Sequence, residues 1–200
     1  DERDQGVLVF NFLKMLYTRR GDDGTTKTFG CDQRVSKSSV IAEALGSLDE
    51  INSYLGLCKV KAGEKGSALN LQKGRTLENL IHEIQKNLFI IQAELAGSPM
   101  SITEEKVKEL ETVVDASEKG LPPIKTFFIS GGTELATLFD IARTISRRAE
   151  RRVVGVAEEG KIVVDKFTLA YLNRLSSVLY AFARLANHQA GILEASPDYQ

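Results

Sequence analysis

The 200-residue chain holds only two cysteines, two histidines and four prolines, and no apolar run in it approaches the roughly 20 residues that a membrane span requires. Cys31 and Cys58 are too few for a disulfide framework, and with His82 and His188 they show no metal-ligand spacing. A reducing, cytoplasmic setting is expected. The opening DERDQGVLVFNFLK lacks the basic start, long apolar core and small-residue cleavage site of a secretory leader. A formal net charge of −1 argues against a general pull on nucleic acid. No G-x-x-x-x-G-K-[ST] phosphate loop occurs, and no internal repeat or low-complexity tract stands out. What is present is an ordinary globular composition, 42% hydrophobic and 26% charged, long enough for one domain with a full core. Residues 1–14 read as an N-terminal extension, either lying ahead of a natural start at Met15 or simply dispensable, and 15–200 as a single domain.

The most informative stretch is Phe127 to Val153, FFISGGTELATLFDIARTISRRAERRV. A short apolar run turns at Gly131-Gly132 and enters a helix that Thr133 can cap with its hydroxyl. At about 100° per residue, Leu138, Ala142, Ile145, Ala149, Val153 and Val156 fall on one apolar stripe. Beside it, Arg143, Arg147, Glu150 and Arg151 share a second arc, while Arg148 and Arg152 point elsewhere. Five arginines lie between 143 and 152 with only Glu150 to offset them, and they repel unless something anionic sits between them. A solvated face is indifferent to the choice of lysine or arginine. A phosphate grip is not, because the guanidinium fork binds two oxygens at once. A polyphosphate ligand is the first expectation, beside the plain solvated face.

The segment Tyr17 to Lys37, YTRRGDDGTTKTFGCDQRVSK, has neither helical nor strand period and is expected to be a loop. Gly21 and Gly24 permit close backbone approach, Thr18, Thr25 and Thr26 offer hydroxyls, and Arg19, Arg20, Lys27 and Lys37 offer charge. The composition suits a triphosphate cradle, and equally a glycine-rich mobile terminus. Helix one is expected over about Ser38–Lys61, followed by a linker from Ala62 to Gly74 and helix two to Ala96. Its near-heptad stripe of Leu77, Leu80, Ile84, Leu88, Ile91 and Leu95 suits bundle packing. Ser101 to Glu104 reads as a capping box opening helix three, which ends near Gly120. Gly155 to Asp165 reads as a turn with a β-prone Ile162–Val164, and helix five spans about Lys166–Ala190. Asp49 and Glu50 sit mid-helix, exposed or functional alike by spacing. Asn173 and Ser177 place small polar groups on helix five, for water, a cap or a ligand. The expected fold is all-α: a five-helix bundle, a four-helix up-down core plus one, with a flexible N-terminal nucleotide-binding loop.

YTRRGDDGTT, Lys37, EALGSLDEINS, FFISGGTELA, ARTISRRAER and YLNRLSS occur in the order seen in PduO-type ATP:cob(I)alamin adenosyltransferases, and the chain resembles that family from about Tyr17 to Ala190. The resemblance implies a homotrimer with active sites at subunit interfaces, transferring the 5′-deoxyadenosyl group of ATP to cob(I)alamin and releasing triphosphate. It implies that Thr18, Arg19, Arg20, Gly21, Thr26, Lys27 and Lys37 hold ATP from one subunit, and that Arg147, Arg148, Glu150, Arg151 and Asn173 complete the site from its neighbour. Arg143 resembles the residue that ion-pairs with Asp49 of the adjacent subunit, and Phe127 the aromatic that closes the lower axial face of the cobalt. Mg2+ on the triphosphate is implied, with K+ as a further ion and no protein metal ligand. A reductase and an adenosylcobalamin-dependent acceptor enzyme are the implied partners, with no nucleic acid and no membrane.

Three positions depart from the family pattern. Ser130 stands where a proline is usual, Ser177 where an aspartate is frequent, and the segment between Thr28 and Lys37 is about two residues longer. The competing expectation is a non-catalytic ATP-binding bundle that serves as an interaction module. Phe127 counts against it, because a nucleotide sensor has no use for that ring.

Overall fold

The computed structural model describes residues 17–28, 33–64 and 76–199. The readings at residues 1–14, Met15 and Cys31, and most of the linker before Gly74, lie outside the described residues. Two short strands, β1 (Thr25–Lys27) and β2 (Arg34–Ser36), precede five helices: α1 (Val40–Ala62), α2 (Leu77–Leu95), α3 (Glu104–Glu118), α4 (Glu134–Glu159) and α5 (Lys166–Gln189). The five expected helices are all there.

Their starts follow from capping chemistry. Ser39, Thr76 and Thr133 accept from the backbone N–H three residues on, and the Asp165 carboxylate accepts from Phe167. Each cap satisfies a donor the first helical turn leaves orphaned, for about 1 kcal/mol. The stripes face inward as their periodicity requires. Leu48, Ile51, Leu55 and Cys58 of α1, all six expected positions of α2, and Leu172, Leu175, Leu179, Phe182 and Ala186 of α5 are buried. On α4 the stripe from Ala142 to Val156 is buried and Leu138 is half-buried.

Helix α4 packs on α1 and on α5; α1 also meets α2, and α5 also meets α3. Phe139 and Phe182 meet across the α4–α5 contact with ring centroids 5.3 Å apart and tilted by 57°. Buried polar ties close the remaining seams. Glu94 of α2 accepts from the Asp165 N–H (2.7 Å) and the Thr168 hydroxyl (2.5 Å), and Asn87 donates to the Tyr171 hydroxyl (3.0 Å) while accepting from Lys106 of α3 (2.5 Å). Burial pushes the Tyr171 hydroxyl well above its ordinary pKa, so it stays a neutral partner.

The structure differs from the expectation in three places. The N-terminal loop contains an antiparallel hairpin, with Thr25 opposite Ser36, Thr26 opposite Val35 and Lys27 opposite Arg34. Strands of three residues are too short to show an alternation. The expected turn at Gly155 is helix instead, since α4 continues to Glu159. A mid-helix glycine costs about 1 kcal/mol, whereas burying Val153 and Val156 returns about 1.5–3 kcal/mol each. The helix ends at Gly160, whose φ of +69° is the left-handed geometry that a glycine tolerates. Ile162–Val164 alternates in burial as a strand would, but it joins neither of the two strands. Finally, Thr103 rather than Ser101 is the N-cap of α3, and it makes no side-chain cap bond. Ile102 and Val107 are both buried at the two positions of a hydrophobic staple.

Candidate functional site

The arginines of α4 divide by face. Arg148 reaches Glu50 and Arg152 reaches Glu43 (3.5 Å), lashing α4 to α1. Arg143 pairs with Asp140 one turn back (3.3 Å) and lies over the Tyr180 ring of α5, 5.7 Å from its centroid. Arg147 and Arg151 are exposed, and neither has a carboxylate partner among the described residues. Arg151 Nη1 donates to the Arg147 carbonyl (3.1 Å), which keeps the two guanidinium groups on one side of the helix.

Glu150, the carboxylate nearest in sequence, is drawn the other way. It accepts from Asn173 Nδ2 of α5 (3.0 Å); Asn173 Oδ1 accepts from Arg174 (2.8 Å), and Arg174 donates to Glu111 of α3 (2.9 Å). This chain of bonds across three helices holds Glu150 and Asn173 beside the two open arginines without neutralising them. The result is two open guanidinium groups side by side on a rigid helix, with five N–H donors on each. Ser177 is exposed one turn beyond Asn173.

The N-terminal segment is organised by a residue that composition did not single out. Arg34 of β2 donates to the Thr25 hydroxyl (2.5 Å) and carbonyl (3.0 Å), to the Arg20 carbonyl and to Asp23 (3.4 Å). Asp23 in turn accepts from the Thr25 N–H (2.9 Å) and hydroxyl (2.7 Å). Those Thr25 bonds, with Arg34 behind them, hold the Asp23 carboxyl below its ordinary pKa. An Asp two residues before a Thr is the one sequence signal that could have exposed this clasp.

Lys37 Nζ donates to the Gly21 carbonyl (2.8 Å). A Cβ at position 21 would lie 3.0 Å from that nitrogen, so Gly21 is the residue that lets Lys37 cross. Arg19 takes a left-handed φ of +58°, a conformation non-glycine residues adopt at some cost, with its guanidinium 5.4 Å from the Tyr17 ring centroid. Thr18, Arg19, Arg20 and Lys27 are exposed and Thr26 is half-buried on β1. The bonds of Asp23, Arg34 and Lys37 given above all close within this segment, so it is a preorganised piece separate from the arginine arc.

Asp49 is exposed on α1, and Arg143 takes Asp140 as its partner within the chain. Phe127 is 79% exposed in the loop before α4. Covering such a ring is worth about 1.5–3 kcal/mol, which makes it a place for an apolar surface to land. Among the described residues there is no cluster of three or more His, Cys, Asp or Glu that could hold a metal ion. A divalent cation at the arginine arc would therefore depend on oxygens that the ligand brings. Cys58 is buried, with its thiol pushed up to about 12, and is chemically inert. No described helix is long and apolar enough to cross a membrane.

Comparison with known proteins bears on the family and the fold. The family model described as cobalamin adenosyltransferase matches residues 16–186. The corrinoid adenosyltransferase PduO of Citrobacter freundii is 41% identical over 182 residues, covering 88% of this chain and 50% of that protein. The corrinoid adenosyltransferase of Bacillus subtilis is 40% identical over 185 residues, covering 88% of this chain and 89% of that protein. The chain thus spans about half the length of the PduO relatives it matches and most of the Bacillus one. A variant PduO-type ATP:corrinoid adenosyltransferase from Lactobacillus reuteri, complexed with cobalamin and ATP, superposes with a TM-score of 0.79 at 30% identity, covering 92% of this chain and 97% of that one. A second variant of that enzyme, complexed with ATP, gives 0.77 at 29% identity, covering 92% and 100%. With its five-helix bundle and a family match that runs from residue 16 to residue 186, this chain belongs to the cobalamin adenosyltransferase family.

Proposed function

We propose that the chain transfers the 5′-deoxyadenosyl group of ATP to a corrinoid reduced to Co(I), giving adenosylcobalamin and triphosphate. The observation that carries this reading is the division of the α4 arginines: three are matched by carboxylates of the same chain and two are left open side by side. Arg147 and Arg151 are assigned to the triphosphate. Charge-assisted bonds of this type contribute about 1.5–3 kcal/mol each. They gain most when the C5′–O bond breaks and the full negative charge arrives on the leaving triphosphate. Glu150 and Asn173 fix the arc and face the nucleotide. Arg148 remains a candidate phosphate ligand, at the cost of its bond to Glu50.

The other half of the nucleotide site is assigned to the N-terminal segment of a second copy of the chain. Thr18, Arg19, Arg20, Gly21, Thr26, Lys27 and Lys37 supply its hydroxyls, amides and charge, on a hairpin held in shape by Arg34. A homotrimer is the proposed assembly, with Arg143 turning from Asp140 to Asp49 of the neighbouring subunit. The reduced cobalt supplies the nucleophile: the cobalt–carbon bond forms as the carbon–oxygen bond to triphosphate breaks, and no catalytic Ser, Cys or His is needed. The chain's own part is to hold C5′ in line, accept the charge of the leaving group and keep water from the cobalt. Phe127 is assigned to that last task, with its ring against the lower axial face of the corrin. Mg2+ would bind the triphosphate oxygens rather than protein carboxylates. A cytoplasmic setting fits a chain with so few cysteines, one of them a buried free thiol. A reductase and an adenosylcobalamin-dependent acceptor are the partners this chemistry calls for.

The test is to mix the protein with ATP, Mg2+ and chemically reduced cobalamin and follow the corrin absorption spectrum. Formation of the alkyl–cobalt spectrum with release of triphosphate is expected. A spectrum that does not change, in protein shown to bind ATP, selects the non-catalytic module.

A further inference from the structure

We propose that Arg184 and Glu194 are positioning residues for the reaction, setting the direction in which Phe127 leaves its loop. This rests on the assignment of Phe127 to the corrin face. Arg184 lies near the end of α5 with its side chain only 5% exposed. It donates through Nε to Glu194 of the C-terminal segment (3.0 Å) and through Nη2 to the Pro122 carbonyl (3.0 Å). Its guanidinium also lies over the Phe128 ring, 5.1 Å from the centroid. A buried arginine with both a charge partner and an aromatic face is costly to assemble and strongly directional once made.

The loop is fixed at its other points by the same two elements. Asn187, one turn after Arg184, accepts from the Thr133 N–H (2.9 Å) and donates to the Gly131 carbonyl (2.8 Å). Gly132 has φ +102°, and a Cβ there would lie 2.3 Å from Asn187 Oδ1, so the contact requires glycine. The Ile129 N–H donates to the Ala195 carbonyl (2.8 Å), joining the loop to the segment that carries Glu194. Start, middle and end of 122–133 are thus tied down.

The consequence follows from alternation. Exposure alternates along this run as it does in extended backbone, with Phe127 and Ile129 exposed on either side of Phe128. Phe128 is half-buried under Arg184 while Phe127 is 79% exposed. Holding Phe128 in is what points Phe127 out. Release of Phe128 would let the pair rotate and bring the wrong ring, or none, to the corrin.

The chain contains no tryptophan, so Phe127→Trp places a single reporter in the loop. Its fluorescence anisotropy is read in the full chain without corrinoid, alone and combined with Arg184→Gln, Arg184→Lys or Glu194→Gln. Adenosylation is measured in the same substitutions on the Phe127 background. Arg184→Gln is expected to lower the anisotropy and to cut kcat about ten-fold while KM for ATP stays within about two-fold. Glu194→Gln, on the surface-near segment, does the same more mildly, and Arg184→Lys recovers part of both losses. Unchanged anisotropy in Arg184→Gln and Glu194→Gln overturns the inference and leaves the Phe127 assignment standing. Lower anisotropy with wild-type kcat overturns it too. A wild-type rate in Phe127→Ala is the distinct result that removes the Phe127 assignment itself, and with it anything for Arg184 to position.

Discussion

Two pairs of arginines on one helix, Arg148 with Arg152 and Arg147 with Arg151, are alike in sequence and opposite in circumstance. The first pair faces α1 and finds Glu50 and Glu43 there. The second pair meets no carboxylate, because the one acid beside it, Glu150, is bonded to Asn173. Exposure does not separate them, since all four are exposed. What differs is whether the chain supplies the counter-charge. Exposed ion pairs are worth little, about 0–1 kcal/mol, so the first pair adds some register between α4 and α1. Leaving the second pair unmatched costs repulsion that a folded domain has no structural reason to keep. An anion held between the two, as proposed for the triphosphate, would offset that cost.

Substitutions at the four arginines separate the two pairs. Arg147→Ala and Arg151→Ala are expected to lower kcat/KM about 100- to 1,000-fold, the effect of losing one donor to a developing charge. Thermal unfolding should stay within a degree or so of the parent, because neither side chain has a folded-state carboxylate to lose; a large drop in melting temperature would make both residues structural. Arg148→Ala is expected to cost less than about ten-fold in the same steady-state assay. A loss equal to that of Arg147→Ala would erase the division and put Arg148 in the triphosphate grip. A double-mutant cycle on Arg152 and Glu43, followed by denaturant unfolding, should give a coupling of about 0.2–1 kcal/mol with activity unaltered.

The smallest effect concerns the hairpin. The Asp23 pKa is depressed, so its bonds to Thr25 and Arg34 persist at and above the ordinary carboxylate value of 3.8 and are lost only as the pH falls through the lower folded value. Amide exchange at Thr25 should therefore remain slow down to that value and rise below it. In Asp23→Asn the protection should no longer depend on pH in that range.

The helices were legible because burial writes a period into the sequence, and every expected α2 stripe residue is in the core. Where that period was absent, inference stopped short. The strands of the hairpin are three residues each, below the length at which alternation shows, and their organiser Arg34 looked like one more basic residue. Gly155 was misleading because a single glycine signals a turn locally, while the valines on either side hold the helix through tertiary contact. Of the site, the arginine arc could be read from spacing alone, including that Arg148 and Arg152 leave it. The partners of those two could not, since Glu43 and Glu50 lie about a hundred residues upstream. Arg184 escaped notice for the same reason: Pro122 and Phe128 lie far upstream of it, and only the fold brings them to the end of α5 beside Glu194.

Helix α4 sits at the centre of the sequence of contacts α2–α1–α4–α5–α3, with a neighbour on each side and a lash of ion pairs to one of them. An element so confined works like the fixed jaw of a vice. On the proposed reading, the adjustment in closing on a nucleotide falls to the small hairpin of the neighbouring copy, so the grip is tuned at the periphery and the helical bundle is spared.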